Sequence, residues 1–204
     1  MAPLIGATDW VVALDFASIL EPSEISNPPG KLRKFLFREE APSGNTQTRS
    51  FYAYGYARAF EQLAETALQR WPGGGHTPMP LFFLARHSIE LHLKDAIEHY
   101  GRCSTLEPEL SSHNIARLWN HLQAQIQHAG FPTDDDWTRY CNKLVHHIHE
   151  VDPDGERFRY PSNVQGVEFE FTRVELEGLQ KAHFHITGYC DAAASMVADC
   201  DPGW

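Results

Sequence analysis

The sequence predicts an all-α bundle of about five helices, with a short β-ribbon and an irregular N-terminal extension. Apolar residues recur at three- and four-residue steps over most of the chain after residue 50, which is the period of a helix with one buried face. Proline, glycine and capping residues divide this part into five segments. A further segment between the fourth and fifth helices, residues 157–171, alternates apolar and polar residues as a strand does.

The chain is long enough for one sizeable core and short for two ordinary domains, since it has 204 residues of which 42% are hydrophobic. Residues 1–50 contain dense turn signals, EPSEISNPPG and APSGNTQT. We therefore predict that residues 1–50 form an irregular extension packed on the bundle, and that residues 51–204 form the helical domain.

Composition narrows the classes of function. The chain has a formal net charge of -10, whereas binding to phosphates needs clustered Lys and Arg. An extensive nucleic-acid-binding surface is therefore disfavoured, and any contact with nucleic acid is expected to be local. The four cysteines have no CxxC spacing, which excludes the usual zinc-ribbon and thioredoxin-like motifs and favours a reduced, cytoplasmic setting. No convincing signal peptide and no run of about 18 apolar residues occurs, so we expect no membrane span.

The first two helices flank a break at WPGGGHTPMP. Helix one is predicted from Phe51 to Trp71, and helix two from Pro80, a tolerated first-turn proline, to Gly101, a C-terminal cap. The predicted core residues of helix one are Phe60, Leu63, Ala64, Ala67 and Leu68. Those of helix two are Leu81, Phe82, Ala85, Ile89, Leu93, Ala96 and Tyr100.

Three more helices and the ribbon follow. Helix three begins after serines that can cap it, helix four begins at acidic residues and ends before Asp152-Pro153, and the last helix runs from about Arg173 to Asp199. The predicted core residues are Ile115, Leu118, Trp119, Leu122 and Ile126, then Trp137, Cys141, Leu144 and Ile148, then Leu176, Leu179, His183, Ile186, Cys190, Ala193 and Val197. The ribbon is predicted from the alternation of Phe158, Tyr160, Val167, Phe169 and Phe171.

Helix two also carries a ladder of charges beside its apolar stripe. Arg86, Glu90 and Lys94 follow one another at intervals of four residues, so Glu90 can pair with both cations. The ladder is either a solvated surface feature or the wall of a groove in the bundle. In a groove the three groups must satisfy one another, because unpaired buried charge is costly.

Several motifs together resemble the HEPN-like helical domains. They are Gly55–Ala59 (GYARA), Phe83–Lys94 with its E-x-x-LK signature, His113–Trp119, Asp152-Pro153 and Phe158–Pro161 (FRYP). The likeness covers about residues 50–199, with the closest similarity to a group of bacterial proteins with the same order of motifs.

This resemblance implies an RNA-directed defence or toxin–antitoxin protein that acts as a metal-independent endoribonuclease. It also implies a homodimer with RNA or a nucleotide as ligand, and a neutralising or activating protein partner. In such an enzyme a histidine moves the proton at the ribose and an arginine stabilises charge on the phosphate. The alternative is a non-catalytic HEPN-like module that binds a nucleotide or a protein.

Two matches to R-x(4 to 6)-H, the hallmark of the active family members, lie within single predicted helices. Arg86 and His92 are separated by five residues, and Arg139 and His146 by six. On a continuous helix the first pair projects about 120° apart, whereas the second pair projects in nearly the same direction but stands about 10 Å apart along the axis. These four residues are the candidate catalytic groups.

The candidate ligand-binding residues form a predicted polar groove. They are His87, Glu90, Lys94, His113, Arg159 and Tyr160. Arg159 and Tyr160 can offer a cation and a stacking ring to a base or a phosphate. Alternatively, Phe158 and Tyr160 pack inward while Arg159 pairs with a carboxylate such as Glu90, and His113 belongs to a helix cap.

No cofactor or metal is expected. The chain lacks a phosphate-binding G-x-x-x-x-G-K-S/T loop and the usual nucleophile motifs. The histidines of VHHIHE, residues 145–150, lack the i, i+4 spacing that places two metal ligands on one helical face.

Overall fold

A computed structural model describes residues 48–70, 78–102, 104–170 and 175–200. This part of the chain is all-helical, which confirms the predicted class. The helices are α1 Arg49–Arg70, α2 Pro78–Gly101, α3 Ile115–His128, α4 Asp136–Val151 and α5 Leu176–Cys200. The predicted extension, residues 1–50, lies almost wholly outside the described residues.

Side-chain caps fix where two of the helices, α3 and α4, begin. The Asp135 carboxylate accepts hydrogen bonds from the first N–H groups of α4, as predicted from its acidic start. At α3 the cap is the Asn114 side chain, which accepts from Arg117 N at 2.8 Å, rather than a serine or His113. Ser112 instead accepts from the N–H of Asn114 at 3.1 Å.

Helix α2 occupies the centre of the bundle. It packs against α1, α3 and α5, while α4 packs against α3 and α5. All seven core residues predicted for α2 are buried. Because its neighbours cover α2 on several sides, polar residues outside the apolar stripe are buried as well, and this burial creates the candidate site.

Most of the other predicted core residues are buried too. The two clear exceptions are Leu68, which is 39% exposed, and Trp137, which is 40% exposed. Trp137 lies in the first turn of α4 and contacts the ring of Tyr189 edge to face, with centroids 5.3 Å apart. In α4, Cys141 and Ile148 are buried as predicted, whereas Leu144 is half-buried.

The predicted two-stranded ribbon is reduced to one antiparallel bridge, between Ser162 and Glu168, in the described residues. The amide groups of Arg159 and Tyr160 both donate to the carbonyl of Glu156 at 3.0 Å, so residues 156–160 form a helical turn. A turn does not place alternate residues on one face, which is why the strand prediction is wrong here. Residues 171–174 lie outside the described part.

None of the helices in the described ranges is both long enough and apolar enough to cross a bilayer.

Candidate functional site

A polar pocket of about 220 Å³ lies between α2 and the loop that follows α4, and we call it the central pocket. It is lined by Phe83, Arg86, His87, Glu90, His113, Asp154, Gly155, Glu156 and Arg159. Five of the sequence-predicted site residues, Arg86, His87, Glu90, His113 and Arg159, therefore lie around one cavity.

Arg86 forms the floor of this pocket and connects three segments of the chain. Its Nε donates to the carbonyl of Asp152 at 3.1 Å, and its Nη2 donates to the carbonyl of His113 at 2.8 Å. Weaker contacts of 3.4 Å join Nη2 to the carbonyl of Pro153 and Nη1 to Glu90 Oε2. All three guanidinium nitrogens have protein partners, so Arg86 acts as an internal brace.

Glu90 is the anion at the centre of the pocket. Its Oε1 accepts from Lys94 Nζ and from His113 Nδ1, both at 2.9 Å. Burial alone would raise the pKa of Glu90, but the hydrogen bonds and charges of Lys94 and His113 outweigh it and hold the pKa below its ordinary value. The carboxylate therefore stays ionised at neutral pH.

The charged ladder of α2 is buried. Arg86, Glu90 and Lys94 are each no more than 5% exposed. The interpretation of the ladder as a solvated surface feature is therefore wrong, and the groove interpretation describes its packing. Lys94 lies behind Glu90 and outside the lining of the pocket.

His113 is held at the edge of the pocket by Glu90. Its side chain is 73% exposed, while its Nδ1 lies 2.9 Å from the buried carboxylate. An ionised carboxylate can only accept, so Nδ1 carries the proton and donates. In the neutral imidazole, Nε2 is then the atom left to accept a hydrogen bond or a proton.

Arg159 and His87 supply the other nitrogen groups of the pocket. The Arg159 guanidinium lies over the rings of Phe83 and Tyr160, at 5.5 and 5.1 Å from their centroids. Its Nη2 also donates to the Tyr160 hydroxyl at 3.1 Å. Burial lowers the pKa of His87 and outweighs the opposing charge of Glu90, so this imidazole is neutral at pH 7.

The predicted pairing of Arg159 with Glu90 is wrong. Arg159 makes no ion pair with a carboxylate in the described part of the chain, since Lys94, Arg86 and His113 already surround Glu90. Phe158 does pack inward, stacked on Phe82 with centroids 4.0 Å apart, but Tyr160 is 49% exposed. The cation and the ring of the RYP segment are therefore presented outward.

A second cavity of about 300 Å³ adjoins the central pocket, and we call it the outer pocket. The two cavities share Arg159. The other residues that line the outer pocket are Met79, Arg157, Phe158, Tyr160, Pro161, Phe169 and Glu170. Its surface is thus largely aromatic and apolar.

The two Arg/His pairs are not assembled into a site within one chain. His92 is 3% exposed and lies on the far side of α2, with Nδ1 at 2.7 Å from Ser88 O and its ring against Tyr54. Arg139 is engaged by the carboxylate of Asp136 and the carbonyl of Asp134. No contact joins it to the half-buried His146 among the described residues.

Sequence reasoning missed the loop that closes the central pocket, Asp154 to Glu156. The DPDG turn was visible, but only as the signal that ends α4. Gly155 has a φ of 75°, and a Cβ built there would lie 2.7 Å from Arg86 Nη1. Glycine is required because the backbone adopts the left-handed region and approaches the guanidinium closely.

Within the described ranges, no group of three or more His, Cys, Asp or Glu side chains is placed to share a metal ion. Comparison with known proteins gives no match: no family model, no curated protein and no solved structure is similar to the chain. The resemblance to HEPN-like domains stays a prediction from motifs.

Proposed function

We propose that the chain is a HEPN-like module that binds a nucleotide through its base, in the central and outer pockets, without cleaving RNA. The observation that carries this proposal is the state of Arg86. The guanidinium of Arg86 already donates to Asp152, His113 and Glu90. It therefore has no pair of N–H groups left to bind a phosphate in the bidentate manner. The best-placed cation of the fold therefore supports the pocket instead of binding a substrate.

The balance of charge in the central pocket favours an uncharged ring over a phosphate. Three carboxylates, those of Glu90, Asp154 and Glu156, line it together with two guanidinium groups. A phosphate would meet more anions than cations there, whereas a nucleobase presents both donors and acceptors. His113 Nε2 and the carboxylates can accept from amino groups, and Arg159 can donate to a carbonyl.

The outer pocket supplies the surface on which an aromatic ring can stack. Tyr160 is 49% exposed and lies at the shared boundary beside Arg159. Aromatic side chains and guanidinium planes are the groups that proteins use to stack unpaired bases. The central pocket by itself is smaller than the common lower bound of about 300 Å³ for ligand sites, so the ligand would extend across Arg159 into the outer pocket.

The test is calorimetric titration of the full chain with adenosine, guanosine, cytidine and uridine. At least one nucleoside should bind, and Arg159→Ala and Tyr160→Ala should each weaken it by roughly tenfold, since each removes a stacking partner. Arg58→Ala is the matched control, because Arg58 is an exposed arginine of α1 whose ion pair with Glu61 lies on the helix surface. The proposal fails if none of the four binds, or if Arg159→Ala binds as well as Arg58→Ala.

A metal-independent ribonuclease is the second candidate, and one observation favours it. A carboxylate orients the exposed imidazole of His113, which is how proteins position a general base. In that case His113 would move the proton, in place of His92 or His146. The homodimer, the protein partner and the defence role implied by the resemblance stay predictions.

A further inference from the structure

Glu156 and Arg159 are an acid and a base on one helical turn at the edge of the central pocket. The carbonyl of Glu156 accepts from the amide groups of Arg159 and Tyr160, both at 3.0 Å, so the backbone turns once between the acid and the base. Side chains three residues apart on a helical turn are neighbours, with their Cβ atoms about 5–6 Å apart. Both residues line the central pocket.

The two side chains do not form an ion pair with each other, although their spacing allows one. The Glu156 carboxylate has no ion pair and no hydrogen bond within the described ranges. The guanidinium of Arg159 instead lies 5.5 Å from the ring centroid of Phe83 and 5.1 Å from that of Tyr160, and its Nη2 donates to the Tyr160 hydroxyl. A carboxylate and the remaining N–H groups of a guanidinium are therefore free to bind a ligand in one pocket.

Glu156 is the best-placed acceptor among the three carboxylates of the central pocket. The oxygens of Glu90 already accept from Lys94, His113 and Arg86. Asp154 is exposed to solvent, whereas Glu156 is half-buried. A carboxylate that is partly withdrawn from water binds a ligand donor more strongly, because fewer waters compete for its oxygens.

A free carboxylate beside a guanidinium matches the edge of one nucleobase. Guanine presents N–H donors on two adjacent atoms, N1 and the 2-amino nitrogen, which fit the two oxygens of a carboxylate. Beside them lies its O6 carbonyl, a common acceptor for arginine. Adenine and cytosine place a ring nitrogen that only accepts next to their amino group, and uracil has a single N–H between two carbonyls.

We propose that Glu156 and Arg159 select guanine in the central pocket. Glu156 accepts from N1 and from the 2-amino group, while Arg159 donates to O6. This inference rests on the function proposed above, in which the two pockets bind a nucleotide through its base, and it names that base. Arg159 stands at the boundary that the two pockets share, so the same guanidinium contacts the ligand in both.

The experiment is calorimetric titration of the full chain with guanosine, inosine and adenosine. Inosine differs from guanosine only in lacking the 2-amino group, so it should bind about tenfold more weakly, through loss of one hydrogen bond to a charged acceptor. Adenosine should bind more weakly still, because its N1 accepts. Equal binding of all three would overturn the choice of guanine and leave base binding intact, whereas no binding of any nucleoside would overturn both.

Glu156→Gln tests which side chain makes the choice. The amide keeps the size of the side chain but replaces one accepting oxygen with an N–H₂ donor, so the ratio of guanosine affinity to inosine affinity should fall towards one. A merely structural role of Glu156 would weaken both nucleosides and keep the ratio. Glu65→Gln, at an exposed glutamate of α1, is the matched control and should behave as the wild type. An unchanged ratio in Glu156→Gln would overturn the proposal.

Discussion

The guanidinium of Arg86 and the carboxylate of Glu90 lie 3.4 Å apart, one turn from each other on α2, and both side chains are only 5% exposed. Their spacing is that of a surface ladder, but the loops before α3 and after α4 close over them. Arg86 holds both loops through their carbonyl groups. The pair therefore stabilises the walls of the central pocket.

Arg86→Ala should destabilise the fold by about 3–5 kcal/mol, because it removes one of the buried cations beside Glu90 and the donor to the carbonyl groups of Asp152 and His113. The free energy of unfolding from urea titration, followed by circular dichroism, checks this. Arg58→Ala removes an exposed ion pair of α1 and should cost less than about 1 kcal/mol. Similar losses for the two variants would contradict the bracing role of Arg86.

Gly155→Ala should be more damaging than the same change at another glycine with positive φ. At Gly155 the new Cβ would lie 2.7 Å from Arg86 Nη1, whereas at Gly130, with a φ of 86°, nothing lies within 4 Å. Both variants suffer backbone strain of about 1–2 kcal/mol, but only Gly155→Ala also displaces the guanidinium. Urea midpoints of the two variants measure the difference. If Gly130→Ala loses as much stability, the close approach at Gly155 has no energetic weight.

Stability should fall as the pH drops below about 6.5, in part because of His183. This imidazole is 2% exposed and lies 2.7 Å from Ser88 Oγ, and burial, followed by the charge of His92, lowers its pKa from 6.5 to about 3. Between these two values the unfolded chain binds a proton that the native state does not. The free energy of unfolding therefore decreases by up to about 1.4 kcal/mol per pH unit on acidification.

The measurement is the free energy of unfolding as a function of pH for the wild type and His183→Gln. The glutamine can still bond to Ser88 but does not titrate, so its stability should depend less on pH between about 6 and 4. His147→Gln, at an exposed position of α4, serves as the control and should follow the wild type. Parallel curves for His183→Gln and the wild type would show that His183 does not contribute.

The helices could be predicted because each is stabilised by its own periodic stripe. The spacing of Ile89 and Leu93 is visible in the sequence, and both side chains are completely buried. The burial of Arg86 and Lys94 could not be predicted from spacing, because it depends on how three other helices and two loops cover α2. Tertiary packing decides whether an i, i+4 pair is solvated.

Contacts of the candidate site between distant parts of the chain were harder to foresee. His113 and Glu90 are 23 residues apart, and the sequence placed them in one groove only through a family resemblance. Arg159 was assigned to the wrong partner because residues 156–160 form a turn instead of a strand. The orientation of the Asn142 amide was not visible in the sequence, because Asn carries no pattern of its own and only the hydrogen bond from the Trp119 indole fixes which amide atom accepts.

The most direct test of binding without cleavage is incubation of total cellular RNA with the purified full chain in the presence of EDTA. We predict that the RNA stays intact at high protein concentration, because Arg86 is occupied and neither Arg/His pair is assembled in one chain. The contradicting result is robust cleavage that is lost in His113→Ala, or in Arg139→Ala and His146→Ala, while the fold is retained. That result would establish a metal-independent ribonuclease and identify the residues that perform its chemistry.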